Sequence, residues 1–70
     1  MGYRIELGEI ESAGNAIEGI RDCACMYNTK RKKIVFFYDG IEMETKKITD
    51  TLATRVPHYM IPEKEIVYNA

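Results

Sequence analysis

The stretch IRDCACMYNTKRKKIVFFYDG, residues 20–40, decides the fold, because two β-prone runs flank a short polar break. From Ile20 to Tyr27 the residues are small, apolar or aromatic apart from Arg21 and Asp22, and Lys33-Ile34-Val35-Phe36-Phe37-Tyr38 is apolar and aromatic after its first lysine. Between them Asn28, Thr29, Lys30 and Arg31 supply turn chemistry, and Asp39-Gly40 is a second turn signal. The pattern predicts a β-hairpin with a basic tip. Phe36 and Tyr38 share one strand face and Phe37 takes the other, so the aromatics read as core.

Upstream, Ile10, Ala13, Ile17 and Ile20 recur at helical spacing, and Glu9 and Glu11 stand where carboxylates favour a helix start. A helix is predicted from about Gly8 to Glu18, with Gly19 as a left-handed cap and Gly14 costing about 1 kcal/mol relative to Ala. Downstream, Ile48, Leu52 and Val56 step by four, which predicts a second helix from about Glu44 to Arg55, with Thr45 or a neighbour as its cap and Pro57 ending it. Glu65-Ile66-Val67-Tyr68 reads as a third strand. The expected fold is a small α+β two-layer sandwich of order αββαβ, with both helices on one face of a three-stranded antiparallel sheet.

Seventy residues allow one small domain and little room for a deep substrate pocket. Ten Lys plus Arg against eleven Asp plus Glu give a formal charge of −1, which argues against wholesale electrostatic binding of nucleic acid or membrane. No apolar run approaches the ~18 residues of a membrane helix, so a cytoplasmic setting is expected. Cys23 and Cys25, one residue apart, cannot staple distant parts of a fold.

Three constellations have a chemical and a simpler reading. Lys30 to Lys33 beside Phe36, Phe37 and Tyr38 could form a stacking surface for nucleic acid, but a solvated hairpin tip is simpler. Cys23 and Cys25, with His58 as a third ligand, could hold a soft metal ion in a stand-alone interaction or metal-handling module; buried strand cysteines are simpler, and no metal ligand is assigned. His58 could act as a general acid or base, yet no nucleophile with an orienting carboxylate accompanies it.

Two segments hold details that amphipathicity does not explain. Gly2-Tyr3-Arg4-Ile5-Glu6-Leu7-Gly8-Glu9-Ile10-Glu11 sets a glycine and an arginine ahead of a helix start with three carboxylates. Val56-Pro57-His58-Tyr59-Met60-Ile61-Pro62 reads as a rigid extended connection between prolines. The first resembles the core motif that opens the small C-terminal subdomain of AMP-forming adenylating enzymes, a superfamily that includes acyl-CoA synthetases, nonribosomal peptide synthetase adenylation domains and D-alanine–carrier protein ligases. The second resembles that family's L-P-x-Y-M-I-P segment, with Val56 in place of Leu. Their order and the elements between them also fit, over essentially the whole chain.

The resemblance implies a parent ligase that uses ATP and Mg to convert a carboxylate into an acyl-adenylate, then transfers the acyl group to a thiol on a phosphopantetheine arm or coenzyme A. It implies as partners a large N-terminal adenylation subdomain and a carrier protein. Gly2, Tyr3 and Arg4 match the loop that faces the pantetheine in the thioester-forming state. Glu6, Glu9, Glu11, Pro57, Tyr59, Met60 and Pro62 match motif positions that act as scaffold. The family's catalytic lysine follows the last strand, beyond Ala70, and Lys64 stands before that strand, so no catalytic residue is assigned here. The chain therefore reads as one subdomain, residues 1–70, truncated before the lysine motif, inactive alone and binding no cofactor by itself. The wording of the first motif favours the amino-acid-activating branch.

Overall fold

The computed structural model describes residues 5–69. The elements run α1 (Leu7–Asn15), β1 (Ile20–Asn28), β2 (Lys33–Gly40), α2 (Thr45–Leu52), a 3-10 turn (His58–Met60) and β3 (Ile66–Tyr68). The order αββαβ and the α+β class are those read from the sequence.

The sheet has the order β1-β2-β3. β1 and β2 pair antiparallel, with Cys23 opposite Tyr38 and Cys25 opposite Phe36, and the register shifts between Ile20 and Asp22. At the hairpin tip the Asn28 side-chain oxygen accepts the N–H groups of Lys30 and Arg31, both at 3.1 Å. This is the local bonding that makes Asn a turn residue. β2 and β3 pair parallel, with Phe36 opposite Ile66, so the expectation of a wholly antiparallel sheet is corrected at this pair. The reason is the connection: α2 and the 3-10 turn stand between the two strands, and such a crossover returns the chain in its original direction.

One core holds the layers together. Ile10, Ala13 and Ile17 meet Ile48, Leu52, Val56 and Met60 above Ile20, Ile34, Phe36 and Tyr38, all at most 7% exposed. Ile34, Phe36 and Tyr38 alternate along β2 as the two-residue period requires. The opposite face is left open, with Met26 55% and Val67 42% exposed. Buried Tyr38 and half-buried Tyr68 have partners for their hydroxyls. Tyr38 donates to the Met43 carbonyl at 3.2 Å and accepts the Met43 N–H at 3.1 Å, while Tyr68 donates to the Gly40 carbonyl at 3.0 Å.

Both helices are shorter than predicted. α1 ends at Asn15, and its apolar period continues through tight turns in which Ala16, Ile17 and Ile20 donate to carbonyls three residues back. Ile17 is thus buried without being helical. The C-cap is Ala16 rather than a position set by Gly19; Gly19 takes its positive φ of 99° at the entry to β1. α2 ends at Leu52 and its N-cap, Glu44, makes no side-chain capping bond.

Gly14 has a different use from the one its helical position suggests. A Cβ there would lie 2.7 Å from the Cys23 sulfur and 2.7 Å from the Phe36 ring. The missing side chain lets α1 settle directly on the sheet, bringing Glu11 to the edge of β1.

Candidate functional site

The two sequence motifs meet at one end of the molecule. Ile5 of the first and Tyr59, Ile61 and Pro62 of the second line a cleft of about 250 Å³. The hairpin completes it with Tyr27, Lys32, Lys33 and Ile34, and the turn before β3 adds Glu63, Lys64 and Glu65. Ile34 and Pro62 are buried, whereas Tyr27 and Tyr59 are 38% and 39% exposed at its rim.

The second motif is not the extended connection expected from its prolines. Pro57 precedes a 3-10 turn, and its carbonyl accepts the Met60 N–H at 2.9 Å. The turn sends Met60 into the core, 2% exposed, and carries Tyr59 outward. Pro62 is fully buried. Met60 and Pro62 thus anchor the segment on either side of Ile61, and Tyr59 remains for the cleft. His58 opens the turn and is exposed.

Gly2, Tyr3 and Arg4, assigned to the pantetheine-facing loop, lie outside the described residues. Glu6 is the N-cap residue of α1; its carbonyl accepts the Glu9 N–H at 3.0 Å, without a side-chain capping bond. Glu9 is exposed in the first turn.

Glu11 is a clasp between helix and sheet. Its carboxylate accepts the Cys25 N–H at 2.8 Å, and its backbone carbonyl accepts the Cys23 thiol at 3.2 Å. The Asp22 carboxylate accepts the Cys23 N–H at 2.9 Å. Because β1 is an edge strand, these acceptors cover donors that would otherwise invite another strand. Sequence reasoning placed Glu11 among the scaffold residues; its partner was invisible because it lies across a long-range contact.

The cysteines face α1 rather than a ligand site. Burial, followed by the nearby carboxylate of Glu11 and, for Cys23, Asp22, pushes the Cys23 thiol up to about 11. Burial, then Cys23 and Glu11, pushes Cys25 up to about 12. Both are protonated at neutral pH, which makes them poor nucleophiles and poor metal ligands. Among the described residues no group of three or more His, Cys, Asp or Glu is placed to hold a metal ion. None of the helices among the described residues is long and apolar enough to cross a membrane.

The basic run occupies the hairpin tip, as read from the sequence. Arg31 reaches Glu65 at 3.5 Å, a contact across the cleft end between the hairpin and the approach to β3. Tyr27 and Lys64 were not singled out as site residues. Only the topology brings Tyr27, at the far end of β1, beside Tyr59.

No family model matches the chain. It is 38% identical over 65 residues to a plipastatin synthase polypeptide of Bacillus subtilis, covering 87% of this chain and 2% of that protein. It is 34% identical over 73 residues to the D-alanine–D-alanyl carrier protein ligase of Staphylococcus haemolyticus, covering 90% of this chain and 15% of the ligase. Among solved structures, Klebsiella oxytoca NpsA in complex with 3-hydroxyanthranilyl-AMSN superposes with a TM-score of 0.88 at 20% identity, over 99% of this chain and 14% of that one. A holo four-domain nonribosomal peptide synthetase bound to AMP and glycine gives 0.77 at 31% identity, over 97% of this chain and 5% of that one. The chain spans about one seventh or less of the length of each of these proteins. By sequence and fold together, it belongs with the AMP-forming adenylating enzymes, as the counterpart of a small part of their length.

Proposed function

We propose that this chain is the mobile C-terminal subdomain of an AMP-forming ligase that loads an amino acid, or another carboxylate, onto a carrier protein. In the first half-reaction the carboxylate attacks the α-phosphate of ATP, giving an acyl-adenylate and pyrophosphate. In the second, a phosphopantetheine thiol attacks the acyl carbon, its proton is lost, and AMP leaves as the thioester forms. The large N-terminal subdomain holds the nucleotide, the metal ion and the acyl pocket. No catalytic residue is assigned among residues 5–69, whose part in this reading is placement.

What these residues contribute is placement. Glu11 and Gly14 hold α1 against the sheet, and Met60 and Pro62 fix the second motif; by the family resemblance, Gly2, Tyr3 and Arg4 belong to the loop that faces the pantetheine. A glycine suits such a loop, since it allows another backbone or a ligand to come close. The observation that carries the reading is the convergence of both motifs, Ile5 from one and Tyr59, Ile61 and Pro62 from the other, on a single cleft in a fold shared with adenylating enzymes.

The test is amino-acid-dependent ATP–pyrophosphate exchange by the polypeptide made from the whole reading frame that encodes this chain. Exchange stimulated by one amino acid or a narrow set is the expected result. Absence of exchange with every amino, aryl and fatty acid tried would overturn the proposal.

A further inference from the structure

We propose that the open face of the sheet is a self-association surface, on which a second copy of this chain stacks face to face about a twofold axis lying across the strands. The face lies on the side of the sheet away from both helices, and its use does not depend on the ligase reading.

Strand side chains alternate between the two faces, so the residues between the buried ones point away from the helices. Ala24 and Met26 of β1, Val35 and Phe37 of β2 and Val67 of β3 make the centre of this face. Met26 stands opposite Val35, and Phe37 lies between Ala24 and Val67. Met26 is 55% and Val67 42% exposed, and Ala24 is exposed as well. Helices on one side of a sheet leave such a centre in water until a second layer covers it.

The two ends of the face differ in sign, and this selects the occupant. At the turn end Lys33 stands opposite Asn28, with Lys30 close by in the hairpin tip; at the other end Asp22 stands opposite Asp39. Both lysines and Asp22 are exposed. Arg21 reaches Asp39 at 3.4 Å, which leaves two carboxylates against one cation at that end. A twofold axis running along the strands would set each end on its like. An axis across the strands sets Lys30 and Lys33 of each copy over Asp22 and Asp39 of the other, and the symmetry repeats that match. Sheets stacked in this way lie about 10 Å apart with their strands within about 30° of one line.

Shape agrees with the charges. The same axis brings Met26 of one copy over Ala24 of the other, a long side chain on a short one, and Val35 over Phe37. Beside Met26 and Val35 a recess of about 320 Å³, bounded by Tyr27, Asn28, Thr29 and Lys30, then faces the Phe37 ring of the other copy. Three strands ~4.8 Å apart and about seven residues long give roughly 300–400 Å² per copy. The total, roughly 600–800 Å², is below the ~1,200 Å² of stable complexes, so the dimer is a weak one.

The experiment is sedimentation velocity on the polypeptide made from the whole reading frame that encodes this chain, from about 1 to 300 μM, where a contact of this size associates. Met26→Asp, the acid-end reversal Asp22→Lys with Asp39→Lys, and the basic-end reversal Lys30→Glu with Lys33→Glu are compared with wild type, each with its Tm. Wild type should shift from monomer toward dimer across this range, and less so as salt is raised. Met26→Asp should weaken association at least tenfold, and each reversal should abolish it. An equimolar mixture of the two reversal variants should associate again, since each end then meets its opposite; this also shows that both variants are folded. A wild-type polypeptide that stays monomeric at every concentration overturns the proposal, and a lowered Tm of Met26→Asp in that case identifies another part of the same polypeptide as the cover. Association unchanged in Met26→Asp places the contact elsewhere and overturns it too, as does a mixture of the reversal variants that stays monomeric while both keep the wild-type Tm.

Discussion

Gly14→Ala should destabilise the protein, although alanine is the better helix former. In an open helical position the change gains about 1 kcal/mol. Here the added methyl would stand 2.7 Å from the Cys23 sulfur and 2.7–2.8 Å from two atoms of the Phe36 ring. The sulfur belongs to a partly buried side chain that can yield, whereas Phe36 is completely buried at the centre of the core. Overpacking costs ~1–3 kcal/mol, and contact under 3 Å with a fully buried ring sets this case at the upper end, ~2–3 kcal/mol, so the net loss should be about 1–2 kcal/mol. In a domain of this size that lowers Tm by roughly 5–15 °C. Gly8→Ala is the internal comparison, since a Cβ at Gly8 meets nothing within 4 Å and the site lies in the same helix. It should gain about 0.5 kcal/mol. Thermal and urea melts followed by circular dichroism read both variants. A Gly14→Ala protein as stable as wild type, or more so, would refute close packing of α1 on the sheet.

Other outcomes follow from the clasp, the tyrosine and the thiols. Glu11→Ala should cost about 1–2 kcal/mol, because it leaves the Cys25 N–H without its acceptor, and hydrogen exchange at the Cys25 amide should accelerate. Glu11→Gln keeps an acceptor oxygen and should lose less. Tyr38→Phe removes the hydroxyl that bonds both the N–H and the carbonyl of Met43 and should cost about 1–3 kcal/mol in a chemical denaturation curve. The thiols make stability fall in alkali. Their folded values of about 11 and 12 stand above the ordinary 9.0, so the folded state holds protons that the unfolded chain releases. This contribution is present in full below about pH 9 and is lost as pH rises through 11 to 12. Iodoacetamide labelling at pH 7.5 should be slow until denaturant is added; fast labelling of the folded chain would contradict the burial of these thiols.

Much of the fold was legible because the residue periods are clean. Ile34, Phe36 and Tyr38 alternate, Ile48 and Leu52 step by a helical turn, and Asn28 begins a turn that its own side chain closes. Helix ends were not legible, since Ile17 keeps the apolar spacing of α1 while its backbone has already tightened into turns. Nor was strand direction: nothing in Ile66 to Tyr68 distinguishes parallel from antiparallel pairing, which the crossover through α2 decides. Gly14 read as a helix defect because its reason, Phe36, lies more than twenty positions away. The same limit hid the cleft. The motifs marked Tyr59 and Ile5, but only the paired hairpin brings Tyr27, Lys32 and Lys33 to them.

The measurement that tests the central claim most directly is the intact mass of a holo carrier protein after incubation with ATP, an amino acid and the ligase produced from the whole reading frame around this chain. The expected result is a mass gain equal to the amino acid less one water, on the phosphopantetheine thiol, reversed by hydroxylamine and absent without ATP. An unmodified carrier, under conditions where the same enzyme shows pyrophosphate exchange, would contradict transfer to a carrier thiol and point to a different acceptor.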